Sequence, residues 1–197
     1  MNLTKKLLLG FVALIVVFLL ISFFLPSKME MSRSTVIKAD PSVVFGVVSD
    51  FGQFNNYSPW HEMDPEAKTM ISGNKDEKGY TYAWDGEKTG KGSMTLLESN
   101  PNNMLTQDLF FADYDAHSLI TWTFEQTPEG VKTTWAMASG ETSNPLMRFM
   151  NAMMKGGLGD QFDQGLTKLK DYCEKMPAST MEDATAPTDS ISEEMGS

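Results

Sequence analysis

The sequence predicts an α+β domain in which a curved antiparallel sheet wraps around one long C-terminal helix, preceded by a transmembrane helix. Three features predict this architecture: an apolar run near the N-terminus, a long stretch of period-two alternation, and a later stretch with the helical period. With 197 residues, of which 41% are hydrophobic and 21% charged, the chain suits one globular domain with appendages.

The run from Leu7 to Leu25 contains no charged residue and, at helical rise, nearly matches the roughly 30 Å hydrocarbon core of a bilayer. Lys5 and Lys6 precede it, which places residues 1–6 in the cytoplasm and the rest of the chain across the membrane. A cleaved signal peptide is the alternative, but its apolar region usually spans about 7–15 residues and ends at a small-residue site. Here the run ends Phe23-Phe24-Leu25-Pro26. We therefore expect a single-pass protein of the bacterial inner membrane, with its domain in the periplasm.

Seven strands are predicted after this anchor. The first covers residues 29–39, and two short helices follow it, the first from Ser42 to Phe51 after Asp40-Pro41. Turn residues then separate six segments of period-two alternation. These segments are residues 69–73, 79–85, 91–99, 104–112, 117–126 and 131–140. Because the connections are short, neighbouring strands are expected to be antiparallel.

The long helix is predicted from Asn144 to Lys175, where apolar residues recur at steps of three and four. Asn144 is a good N-cap, and Pro145 suits the first helical position. Three glycines near the middle each cost about 1 kcal/mol relative to alanine, and they are Gly156, Gly157 and Gly159. Such a cluster predicts a hinge, formed either as a kink or as a close approach of another backbone or a ligand.

Large apolar side chains share the sheet face that would meet this helix, because alternate residues of a strand point to one side. An ordinary packed core and an incompletely filled core that admits an apolar guest both fit this pattern. The 15 methionines favour a guest, since flexible thioether side chains accommodate different shapes. The candidate cavity residues are Trp60, Tyr82, Trp84, Trp122, Phe124, Trp135 and Met137, together with Phe149, Met150, Met153 and Met154 of the helix.

Composition argues against several kinds of site. Cys173 is the single cysteine, so an intrachain disulfide and a cysteine-rich zinc site are both excluded, and its position on the apolar stripe predicts burial. A formal net charge of −10 without a basic run argues against a nucleic-acid partner. Residues 176–197 contain no lysine or arginine and are expected to form a disordered acidic tail. No metal or cofactor is predicted, because Glu62, Asp64 and Glu66 lack the other ligands of a calcium loop.

The two histidines are the candidates for acid–base chemistry. His61 lies in a loop beside Glu62, and His117 begins a strand near Asp113 and Asp115. A histidine–carboxylate pair would serve as the general base of an aldol-type cyclisation. Exposed polar residues are the simpler interpretation, and the chain has no nucleophile elbow, phosphate loop or dinucleotide fingerprint. No catalytic residue is therefore predicted.

Four segments, in this order and spacing, resemble a known family. They are residues 39–45 running into Asp50-Phe51, then 58–65, 90–94 and 165–170. Over Met31 to Lys175 the chain is similar to the SRPBCC superfamily, which has the START-like or helix-grip fold, and in particular to its polyketide cyclase/dehydrase-like group.

The resemblance implies a seven-stranded antiparallel sheet that grips the C-terminal helix over a deep apolar cavity, in a domain of residues 29–175. Members bind lipids, sterols, polyketides or other hydrophobic small molecules, and a minority catalyse reactions on them without a universal catalytic motif. The expected function is therefore a membrane-anchored binding domain for a hydrophobic small molecule or lipid. A cyclase- or aromatase-type enzyme and a protein-interaction domain with a filled core remain the alternatives, and a protein partner is unknown.

Overall fold

The structure, a computed structural model, describes residues 2–176, so the predicted acidic tail lies outside the described residues apart from Met176. The helices are α1 (Leu3–Phe24), α2 (Pro41–Ser49), α3 (Pro59–Met63) and α4 (Pro145–Glu174), with 3-10 segments at Phe51–Asn56 and Ala112–Tyr114. The strands are β1 (Glu30–Ile37), β2 (Lys68–Ser72), β3 (Thr81–Gly86), β4 (Gly90–Asn100), β5 (Met104–Phe111), β6 (Ala116–Thr127) and β7 (Gly130–Ser139).

All seven strands form one antiparallel sheet in the order β1-β7-β6-β5-β4-β3-β2. Strands β2 to β7 follow one another as hairpins, and β1 pairs with β7, so the first and last strands are neighbours. Gly130 permits this closure: its φ is +136°, and a Cβ there would collide with the carbonyl of Ile37 at the end of β1. The predicted α+β class, a sheet wrapped on a C-terminal helix, is confirmed.

Helix α4 begins as the sequence predicts. The Asn144 side chain accepts a hydrogen bond from the backbone N–H of Leu146 at 2.9 Å, and Pro145 occupies the first turn. The helix continues without interruption through the glycine cluster to Glu174, over 30 residues. Its second half packs on the sheet through four buried side chains, Phe162, Leu166, Leu169 and Cys173.

The glycines of α4 differ in their surroundings. Nothing lies within 4 Å of a Cβ built on Gly156 or Gly157, whereas one on Gly159 would meet the Arg33 guanidinium of β1 at 2.5 Å. Gly165, which is not among the three predicted hinge glycines, lies in a more closely packed part of the core. A Cβ built on it would lie 2.8 Å from the Trp135 ring. A close approach of the Trp135 ring therefore explains Gly165, whereas the guanidinium beside Gly159 belongs to a flexible side chain that can move. A hinge at Gly156 and Gly157 stays a prediction.

The hydrophobic core begins at Met29 and receives no residue from α1. Helix α1 is exposed along nearly its whole length, with Ser22 its single buried residue. Its 22 residues, with a mean hydropathy of 3.1 over a stretch of 18, are sufficient, by length and composition, for a membrane span. Helix α1 therefore lies outside the hydrophobic core, and it contacts the folded domain at α4.

Candidate ligand-binding cavity

A partly enclosed cavity of about 270 Å³ lies between the sheet, α3 and the middle of α4. Strands β3 to β7 contribute its long wall, α3 contributes Trp60 and His61, and α4 contributes Leu158, Gln161 and Phe162. Its surface is mainly carbon. The volume is just below the roughly 300–1,000 Å³ usual for ligand pockets, which suits a small apolar molecule or one chain of a larger ligand.

Stacked aromatic rings form the floor where α4 meets β7. Trp135 is parallel to Phe162 at a centroid distance of 4.1 Å and an angle of 19°, and it stacks on Trp122 at 4.4 Å and 20°. Trp60 presents its edge to Trp135 at 5.7 Å and to Phe162 at 6.0 Å. Edge-to-face and offset stacks are the preferred geometries of aromatic pairs. The floor of the cavity is therefore held in shape by the packing of these rings.

Tyr82 and Trp84 of β3 form the opposite wall, and their polar atoms already have partners. The Tyr82 hydroxyl donates to Oδ1 of Asn55 at 3.0 Å, and burial raises the pKa of this phenol. Trp84 Nε1 donates to the carbonyl oxygen of Thr89 at 3.4 Å. Gly92 on the neighbouring strand leaves the space that the Trp84 ring fills. Because these polar atoms are bonded elsewhere, Tyr82 and Trp84 contribute mainly apolar ring surface to the cavity.

Asp64 is buried directly after α3 and lines the cavity. Its Oδ2 accepts hydrogen bonds from the backbone N–H groups of Lys88 at 2.8 Å and Thr89 at 3.1 Å, and from the Thr89 hydroxyl at 3.1 Å. The bond from the Lys88 N–H is the main cause of a pKa of Asp64 below its ordinary value, although burial opposes it. This carboxylate is thus ionised and joins α3 to the β3–β4 turn. With three donors on it, it is a structural acceptor and a poor base.

The two histidines have different positions. His61 lines the cavity, and its backbone N–H donates to Ser58 Oγ at 3.3 Å. His117 does not line the cavity; it is exposed, with Nδ1 2.8 Å from Oδ2 of Asp108 and its ring stacked on Phe110 at 4.6 Å. The histidine–carboxylate pair that the structure forms is therefore away from the cavity and involves Asp108.

Glu62, one of the three acidic residues between positions 62 and 66, forms an ion pair with Lys168 and so links α3 to α4. Within residues 2–176, no group of three or more histidine, cysteine, aspartate or glutamate side chains is arranged to hold a metal ion.

The predicted cavity residues divide into three groups. Five line the cavity: Trp60, Tyr82, Trp84, Trp135 and Met137. Trp122 and Phe124 are buried but do not line it, because Trp122 lies behind Trp135 and Phe124 packs on Phe45. Phe149, Met150 and Met153 lie on the first half of α4 and do not line it either. The side chain of Met154 lies outside the described part of the structure.

Several lining residues were missed in the sequence. They include Phe54, Met94, Leu109, Phe111, Leu158 and Phe162. The sequence pattern does indicate that some of these residues face inward. Met94 and Leu109 are register partners on neighbouring strands, and Phe162 belongs to the apolar stripe of α4. The alternation rule identifies such residues as inward-facing, but it does not distinguish a side chain beside a void from one in a filled layer.

A seven-stranded antiparallel sheet closed by a long C-terminal helix, with an apolar cavity between them, defines a helix-grip domain. The family described as "Polyketide cyclase / dehydrase and lipid transport" matches residues 28–174, and the chain belongs to this family. The resemblance seen in the sequence is confirmed. Membership in this family supports the binding of a hydrophobic ligand.

Solved structures share the fold at low sequence identity. Protein MLL2253 from Mesorhizobium loti is 16% identical with a TM-score of 0.55, over 75% of this chain and 98% of its own. The Aha1 dimer from Colwellia psychrerythraea is 15% identical with a TM-score of 0.51, over 74% and 96%. StfQ, a di-domain ARO/CYC from the steffimycin biosynthetic pathway, is 10% identical with a TM-score of 0.56, over 75% and 51%. No curated protein matches the chain.

Proposed function

We propose that this protein binds a hydrophobic small molecule or lipid in its cavity, from a domain that α1 anchors to a membrane. The observation that carries the proposal is the cavity of about 270 Å³ whose walls are stacked rings, with the polar atoms of Tyr82 and Trp84 bonded elsewhere. Such walls offer dispersion contacts and few hydrogen bonds, so they favour an apolar guest. The family description, which includes lipid transport, supports the same conclusion.

The polar residues of the lining indicate how the guest is oriented. His61, Lys88 and Gln161 line the cavity together with the aromatic rings. A ligand with an apolar body and one polar end satisfies both kinds of surface, because its polar end would otherwise lose its hydrogen bonds to water on burial. Amphipathic molecules such as fatty acids and lysolipids have this chemistry.

The anchor is the second part of the proposal. Helix α1 has the length and hydropathy of a single span, and Lys5 and Lys6 precede the apolar run. By the positive-inside rule, we expect residues 1–6 in the cytoplasm and the domain in the periplasm of a bacterial inner membrane. Tethering keeps the cavity close to a membrane source of ligand. The enzymatic and protein-interaction alternatives stay predictions.

The domain of residues 28–176 suits a direct test, because every core residue lies at or after Met29 and the fold is complete without α1. Purified without detergent, it is expected to carry a discrete adduct in native mass spectrometry that is released on denaturation. Leu109→Trp adds bulk to the lining and should remove the adduct. Leu119→Trp, on an exposed position of β6, is the matched control and should retain it.

A wild-type domain with no adduct, and with no uptake of a fluorescent fatty acid, would overturn the proposal. An adduct that both tryptophan variants retain at the wild-type level would show that the guest binds elsewhere on the domain.

A further inference from the structure

We propose that the first nine residues of α4, 145–153, are immersed in the same bilayer that α1 spans, so that the domain is seated in the lipid. We call these residues the lipid-facing segment. The partner is lipid hydrocarbon on the periplasmic side of the membrane. This inference rests on the proposed membrane anchor and adds a second contact with the bilayer.

The end of α1 is bound to α4 by Arg148. The Arg148 Nη1 donates to the carbonyl oxygens of Phe23 at 3.2 Å and Ser22 at 3.4 Å, and its Nε donates to that of Thr142 at 3.1 Å. The last carbonyls of a helix have no partner within the helix and carry partial negative charge. The guanidinium therefore caps α1 and holds α4 beside it.

Aromatic packing sets the depth of the lipid-facing segment. The Phe149 ring lies 5.9 Å from the Phe18 ring of α1. Phe18 precedes Phe24, the last residue of α1, by six positions, which is about 9 Å along the helix axis. In a hydrocarbon core of roughly 30 Å, this depth is below the membrane surface. Phe149, in contact with Phe18, shares that depth.

The composition of the segment suits lipid. Arg148 is its one charged residue, and its guanidinium is occupied by carbonyl oxygens. Leu146, Phe149 and Met153 are 58%, 38% and 69% exposed, and their spacing of three and four places them on one side of the helix. Exposure of such an apolar face to water is unfavourable in free energy. Because it is continuous with α1, the bilayer that surrounds α1 covers it as well.

Charged residues reappear in the sequence of α4 after the lipid-facing segment. Lys155 and Asp160 are the next charged residues in the sequence, and Leu158 is the first residue of α4 that lines the cavity. Leu158 follows Met153 by five positions, or about 7.5 Å along the helix. A domain seated in this way holds its cavity at the membrane surface.

Spin labels on the full-length chain in vesicles of phosphatidylcholine and phosphatidylglycerol test the inference. The labels are attached singly to Met153→Cys, to Leu14→Cys in the middle of α1, and to Met70→Cys on β2. Met70 is the matched control, because it is 64% exposed and belongs to the strand farthest from β1 in the sheet. The buried Cys173 stays in place. Collision rates with oxygen, which partitions into lipid, and with a water-soluble nickel chelate are measured for each label.

The oxygen-to-nickel ratio is expected to be several-fold higher at position 153 than at position 70, and close to the ratio at position 14. Equal ratios at 153 and 70, with a lipid ratio at 14, would overturn the inference and leave the anchor standing. A label at 153 that is shielded from both reagents and broadened by a neighbouring label would overturn it in favour of a second copy of the chain. An aqueous ratio at position 14 would overturn the anchor and the inference together, while ligand binding by the domain 28–176 is measured independently.

Discussion

The Phe162 ring of α4 lies parallel to the Trp135 ring of β7, with their centroids 4.1 Å apart. Both side chains are almost completely buried, and both line the cavity. The contact that fixes the helix on the sheet is therefore also part of the cavity lining. Exchange of either of these two residues should therefore affect both the cavity and the stability of the fold.

Phe162→Ala should lower the free energy of unfolding of the domain 28–176 by about 3–5 kcal/mol, because it removes the stacked ring and leaves a cavity. Urea unfolding measures the change. Phe149→Ala is the matched control on the same helix. Phe149 is partly exposed and its aromatic partner belongs to α1, so in the isolated domain the loss should stay within about 0.5 kcal/mol. Equal losses in the two variants would contradict the role given to Phe162.

Alanine at two glycines of α4 should have opposite effects. Gly157→Ala is expected to stabilise the domain by about 1 kcal/mol, since nothing lies within 4 Å of its Cβ and alanine favours the helix. Gly165→Ala places a Cβ 2.8 Å from the Trp135 ring and 3.3 Å from Pro59, and such overpacking costs roughly 1–3 kcal/mol. Thermal and urea unfolding of both variants measure the difference. A destabilising Gly157→Ala would show that the glycine is needed for its conformation.

Asp64→Asn should destabilise the domain at neutral pH. The folded-state pKa of Asp64 is below its unfolded value of about 3.9, so the carboxylate stabilises the fold above that pH. This contribution is lost as the pH falls through the lower folded-state pKa. The difference in free energy of unfolding between wild type and variant should therefore be constant above about pH 5 and shrink below about pH 4.

Asp113→Asn is the control for this measurement. The exposed Asp113 carboxylate accepts one backbone hydrogen bond, from the N–H of Lys91 at 3.1 Å. The decrease in free energy of unfolding at neutral pH should therefore be smaller for Asp113→Asn than for Asp64→Asn. A difference at Asp64→Asn that did not change with pH would show that Asp64 acts through its shape and not through its charge.

The Cys173 thiol should be unreactive in the folded domain. Burial, together with the nearby Glu174 carboxylate, raises the pKa of this thiol to about 12, and the residue is enclosed by the core. Maleimide labelling at pH 8 should be negligible under native conditions and complete in denaturant. Rapid labelling of the native domain would show that the C-terminal end of α4 opens locally.

Local patterns predicted the fold from residues close in the sequence. Alternation placed the strands, since each strand has a period of two, and Asn144 with Pro145 placed the start of α4. The same patterns selected five residues that line the cavity, because all five face inward. Propensity and period act over a few residues, so the printed sequence contains this information directly.

The position of the void depends on contacts between residues far apart in the chain. Trp122 and Trp135 are both inward-facing aromatics, yet only the second lines the cavity, because the first lies behind it in the stack. Phe149 and Phe162 lie on one helix, but α1 meets the first and β7 meets the second. Where α4 crosses the sheet is determined by packing of whole side chains against one another, and no local period specifies that crossing.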